Sequence, residues 1–102
     1  MKLPEHLRPE TRQWAEGIIE DYDLEGHHIK ILIQAAEAWD RIEEARERIS
    51  SEGAYYIDRF GQPRRHPAVA EERAGRVVFA RLLRELSLDA EPPDSRPPRL
   101  RY

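Results

Sequence analysis

Residues 25–52 read EGHHIKILIQAAEAWDRIEEARERISSE and decide the fold. Ile31, Ala35, Ala38, Ile42, Ala45 and Ile49 recur at alternating spacings of four and three, as a heptad seam does. Leu32, Ala36 and Trp39 form a second seam that fades at Glu43. The spacing predicts one long helix from about Glu25 to Glu52. Its first half is wide-faced and should be buried on two sides, while its second half carries a single narrow stripe. At 1.5 Å per residue it reaches about 42 Å. That exceeds what a monomer of this size covers, so the narrow stripe is expected to protrude and meet another subunit. The competing arrangement folds the third helix back along the whole length.

Toward the N-terminus, Pro4 and Pro9 keep the first residues from continuing a helix. Pro9 or Glu10 opens a first helix, in which Trp14, Ile18 and Tyr22 recur every four residues beside Ala15 and Ile19. Asp23 to Gly26 breaks it, with Asp23 placed to cap the long helix. On the other side, Gly53 suits a C-cap. Tyr55-Tyr56-Ile57 is β-prone and Asp58-Arg59-Phe60-Gly61 carries turn chemistry, so a small hairpin or extended loop is expected. A two-stranded ribbon is marginal alone, so this one should pack through Tyr56 and Phe60. His66-Pro67-Ala68 starts a third helix that runs to about Leu86. Its apolar positions, from Val69 and Ala74 through Val77, Val78 and Phe79 to Leu82, Leu83 and Leu86, cover more than one face. Pro92, Pro93, Pro97 and Pro98 make residues 88–102 an extended or disordered tail. The expected organisation is an N-terminal tail over 1–8, a helical domain over 9–87 and the tail after it. The fold class is mainly α.

The whole chain has 102 residues, a net charge of -3, 36% charged residues and no cysteine. One domain is expected, with neither a disulfide framework nor a thiolate metal site. No apolar run is long enough to span a membrane and no signal-peptide pattern opens the chain, so a cytoplasmic protein is expected. The charge is segregated. Residues 1–23 and 24–52 are each net -3, whereas residues 53–65 are net +2 through Arg59, Arg64 and Arg65 against Asp58. Such a balance speaks against generic nucleic-acid binding, but a local basic loop presented in many copies still binds phosphate. Of 17 basic residues only Lys2 and Lys30 are lysine. Arginine suits bidentate contacts to carboxylate and phosphate, though codon bias in a GC-rich genome produces the same count.

Catalytic chemistry is not in view. There is no P-loop, dinucleotide fingerprint or nucleophile elbow, and no serine or threonine sits near an obvious base. His27 and His28 are adjacent, so on a helix their rings should diverge by about 100° and miss a common metal. The acidic pairs Glu43-Glu44 and Glu71-Glu72 read as solvated faces, and Glu37, Asp40, Arg41, Glu44 and Arg48 as salt-bridge lacing. His66 has two readings that stay open. It caps the third helix, or it joins Arg64 and Arg65 in holding a phosphate at the helix N-terminus.

Gly53, Tyr56, Gly61, Pro63 and His66-Pro67-Ala68, followed by Glu72, Ala74, Phe79, Leu82, Leu83, Leu86, Leu88, Pro92 and Pro93, stand in the order found in bacteriophage terminase small subunits. Trp14 and the Ala35-Ala36-Glu37-Ala38-Trp39 stretch also resemble that family, and the likeness covers roughly residues 10–93. The resemblance implies a protein that is no enzyme and carries no cofactor or metal. It implies a ring of about eight to ten subunits, built on a long helical hairpin, that recognises double-stranded viral DNA. Such a ring hands the DNA to the terminase large subunit, an ATPase and nuclease, in the bacterial host cytoplasm. On that reading DNA contact is expected from Arg59, Arg64, Arg65 and His66, or from Lys2, Arg8 and Arg12. Subunit contact is expected from Ile31, Ala38, Ile42, Ala45 and Ile49 with Val78 and Leu82. Large-subunit docking is expected from Arg96, Arg99 and Arg101. No set of side chains suits base readout, so preference among sequences would come from DNA shape or bending. The alternative is a small dimeric helical regulator or adaptor with no packaging role.

Overall fold

In a computed structural model, which describes residues 3–86, the long periodic stretch is a single 27-residue helix. The order is α1 (Pro9–Asp21), α2 (Gly26–Glu52), β1 (Tyr55–Ile57), β2 (Pro63–Arg65) and α3 (Pro67–Glu85). The protein is therefore mainly helical, with one small two-stranded sheet. Pro9 and Pro67 each fall in the first turn of their helix, where the missing N–H costs nothing. The cap of α2 is Glu25 rather than Asp23. Glu25 and His28 form a capping box in which His28 Nδ1 accepts the Glu25 N–H at 3.2 Å. Gly53 ends α2 at φ +88°, its N–H donating to the Ile49 carbonyl at 2.8 Å.

The second half of α2 does not protrude. Helix α3 returns antiparallel along it, from His66 beside Glu52 to Leu86 in one cluster with Leu32 and Ala36. Ala35, Ala38, Ile42 and Ala45 are thereby buried inside one chain. Small residues make the close approach possible: a Cβ at Gly75 would come within 2.7 Å of Ile42 Cγ1. Arg46 ties the hairpin by donating from Nε to Glu72 at 3.1 Å, and its guanidinium lies 5.4 Å from the Trp39 ring centroid.

Helix α1 covers the first half of α2. Ala15 and Ile18 bury against Leu32 and Ala36, and Trp14 and Trp39 both lean on Phe79 with centroids 5.8 and 5.1 Å away. Residues 3–8 pack onto the helices: Leu3 and Leu7 are buried in the same cluster. Asp40 organises this end. It is 7% exposed, and it accepts the Thr11 hydroxyl at 2.6 Å and the Arg8 backbone N–H at 3.0 Å. A carboxylate from α2 thus sits at the positive end of α1, where free N–H groups favour it. It belongs to the interior, not to solvated lacing. His6, without a sequence reading, contacts Glu37 at 2.8 Å.

Strands β1 and β2 pair antiparallel, Tyr55 opposite Arg65, Tyr56 opposite Arg64 and Ile57 opposite Pro63. Every strand residue is exposed, and so is Phe60 at the turn. The expected packing through Tyr56 and Phe60 is absent: within one chain the ribbon is held at its base and by its turn. No helix among the described residues is long and apolar enough to cross a membrane. The tail over 88–102 lies outside the described residues.

A candidate nucleic-acid interface on the arginine ribbon

Asp58 builds the turn. Its Oδ1 accepts the backbone N–H groups of Phe60 at 2.9 Å and Gln62 at 3.0 Å, and its Oδ2 accepts Arg64 Nε at 2.9 Å. The Gln62 N–H first, then the Arg64 guanidinium and the Phe60 N–H, hold the Asp58 carboxyl below the usual carboxylate range. Gly61, at φ +76°, closes the turn by donating its N–H to the Asp58 carbonyl at 3.0 Å. At the other end His66 clasps the base. Its backbone N–H donates to the Ala54 carbonyl at 2.7 Å, Nδ1 accepts the Ala68 N–H at 3.0 Å, and Nε2 meets Glu52 at 2.8 Å. Because Nδ1 accepts, Nε2 carries the proton toward Glu52. His66 is thus a cap and a clasp with both ring nitrogens engaged.

The structure divides the other arginines singled out in the sequence. Arg64 is paired with Asp58. Arg59 lays its guanidinium 5.0 Å from the Phe60 ring centroid, with no carboxylate beside it among the described residues. Arg65 has neither ion pair nor hydrogen bond there and is exposed. Arg8 and Arg12 are employed otherwise. Arg8 forms a fork on Glu47, with Nη1 at 2.9 Å and Nη2 at 2.8 Å. That hydrogen-bonded pair raises the Arg8 pKa and lowers that of Glu47. Arg12 Nη2 donates to the carbonyls of Glu5 at 2.7 Å and Pro4 at 3.3 Å, while its Nε is buried without a partner. These two hold the N-terminal segment down. Lys2, Arg96, Arg99 and Arg101 lie outside the described residues.

The expected subunit contacts also separate. Ala38, Ile42 and Ala45 lie under α3 in their own chain, and Ile31, Ile49 and Leu82 are half-buried. Val78 is exposed, as is Val77, which the seam reading did not single out. Beside Val78 an open groove of about 520 Å³ runs between α2 and α3, floored by Ala38, Ala45, Ala74 and Gly75. Its rim carries Arg41, Arg48, Glu44 and Glu71. The His27 and His28 rings do not diverge but lie 4.0 Å apart, centroid to centroid. Among the described residues no group of three or more acidic or histidine side chains is placed to hold a metal.

Sequence reasoning undervalued Asp58, because an aspartate before a turn is common and says nothing of how many donors it collects. The signal was Asp58, Gly61 and Arg64 at offsets of three and six around one turn. Comparison with protein-family models, curated proteins and solved structures finds no match for this chain.

Proposed function

We propose that the chain is a terminase small subunit: a self-assembling DNA-recognition and adaptor protein that delivers double-stranded viral DNA to the large ATPase and nuclease subunit. The observation that carries the reading is the ribbon. On a chain of net charge -3, an exposed element of net +2 presents Arg59 and Arg65 unneutralised beside Tyr55, Tyr56 and Phe60. One ribbon gives two or three phosphate contacts, too few for useful affinity alone. Repetition around an assembly multiplies them through effective concentration. Self-association is supported by the apolar surface left open, with Val77 exposed on α3 and Val78 lining the groove between α2 and α3. Of the expected subunit contacts, Ala38, Ala45 and Val78 line that groove, whereas Ile42 is fully buried under α3.

The test combines mass in solution with DNA retention across a salt series. A mass near eight to ten times 12.0 kDa, with duplex DNA retained at low salt and released steeply as salt rises, is the expected result. A dimer that ignores DNA at every salt concentration transfers the protein to the helical-regulator reading.

A further inference from the structure

We propose that the ribbon is a DNA-kinking wedge: the Phe60 ring enters a base step of the duplex while Arg59 and Arg65 hold the phosphates around it. This inference rests on the DNA-recognition reading and names what that site does to its ligand.

Phe60 is the most exposed large apolar side chain among the described residues, at 73%. An aromatic ring left in water forgoes the gain of burial. It is not a side chain that has failed to collapse onto a mobile loop. Asp58 fixes the turn through its two backbone donors, Arg64 and the Gly61 N–H, so the ring is held outward at the ribbon's end. The Arg59 guanidinium over that ring sets a cation beside the apolar group. An apolar side chain next to arginine is the equipment of proteins that pry a base step apart from the minor groove and bend the duplex. Charge complementarity selects DNA over a second ribbon. Asp58 is paired with Arg64, and Glu52 stands at the ribbon's base beside His66, so the turn end with Arg59 is positive and repels its own copy. The two faces differ as well. Period-two alternation with the observed register puts Tyr55, Ile57 and Arg65 on one side and Tyr56 with Arg64 on the other. The unpaired arginine therefore shares the more apolar face. Unstacking is cheapest at pyrimidine–purine steps, which makes TA and CA steps the preferred sites.

The experiment is a bend measurement by energy transfer between dyes at the two ends of a duplex, using the full chain. One duplex has a central TA step and its control has none. The wild type is expected to bend the TA duplex more than the control. Phe60→Ala should abolish the bend and weaken binding about tenfold, while Phe60→Leu, still an apolar wedge, restores the bend. Arg65→Ala should flatten the salt dependence by about one phosphate contact per copy and leave the bend of bound duplex intact. A bend that survives Phe60→Ala overturns the proposal while the DNA-recognition reading stands. A Phe60→Ala chain whose assembly falls apart, losing DNA only for that reason, also overturns it and makes the ribbon a subunit contact. If the wild type retains no duplex at low salt, the underlying reading falls and the wedge falls with it.

Discussion

Asp40 and Asp58 do the same chemistry at opposite ends of the molecule. Each carboxylate accepts backbone N–H donors and a side chain. Asp40 takes Thr11 and the Arg8 N–H across 29 and 32 residues of chain and is buried. Asp58 takes the Phe60 and Gln62 N–H groups and Arg64 within six residues, at the surface. The first joins two helices and holds the start of α1. The second shapes one turn and leaves everything around it open. The arginines divide along the same line. Arg8, near Asp40, is consumed by Glu47 on a neighbouring helix, whereas among the described residues no carboxylate pairs with Arg59 or Arg65. What makes an arginine available for a ligand here is the absence of a second element bringing a carboxylate to it.

The largest test of this contrast places a carboxylate where no donor waits. Ile42 is fully buried between α2 and α3. Ile42→Asp should cost several kcal/mol, on the order of the whole stability of a small domain. The expected result is loss of the helical circular-dichroism signal. A folded monomer would mean that α3 does not cover the seam in solution, and would return Ile42 to the subunit interface. Val78→Asp, on the exposed side, should leave the fold intact and act only on assembly.

Asp40→Ala comes next. It strands the Thr11 hydroxyl and the Arg8 N–H in a closed site, so about 2–4 kcal/mol of stability should go, with a melting temperature about 10–20 °C lower. Thr11→Val should recover only part of that loss in the double variant. An Asp40→Ala chain that melts with the wild type would demote the buried carboxylate to a bystander. His66→Ala is smaller, at about 1 kcal/mol, because it removes one helix cap and the clasp to Glu52. Hydrogen exchange should rise at Ala68 and Val69 and stay unchanged in α1.

Local chemistry was readable and long-range register was not. The bounds of α2 and α3, the Gly53 cap and the hairpin turn all follow from neighbours within four residues, and the structure has them. Return of α3 along α2 depends on Gly75 meeting Ile42 and Ala38, 33 and 37 residues away, and no periodicity in either helix reports that match. The expectation of a protruding stripe rests on the length of α2, about 42 Å, and length does not report how close alanine and glycine let two helices come. The same holds for Leu3 and Leu7. Flanking Pro4 and ahead of Pro9 they resemble an irregular tail, and their burial is decided by Leu32 and Leu86. For the candidate site, the positions of Arg59, Arg64 and Arg65 were legible. Which of them is free was not, because that turns on the partners Asp58 and Phe60.

The smallest effect belongs to Asp58. Its folded carboxyl is held below the ordinary range by the Gln62 N–H, Arg64 and the Phe60 N–H. An unfolded aspartate titrates near 3.9. Because the folded group titrates lower, its contribution is complete above the unfolded range and is lost as pH falls through the folded value. The amide signals of Phe60 and Gln62 should therefore hold steady after exposed carboxylates have protonated, then shift together in stronger acid. Asp58→Ala should move those amides at neutral pH and lower the melting temperature only slightly, with the α1 signals left where they are, since nothing beyond the turn leans on this carboxylate. Amides that titrate at or above the ordinary aspartate range would show a turn that is open in solution. The Phe60 ring would then have no fixed direction, and the contrast with Asp40 would be one between an ordered carboxylate and a merely exposed one.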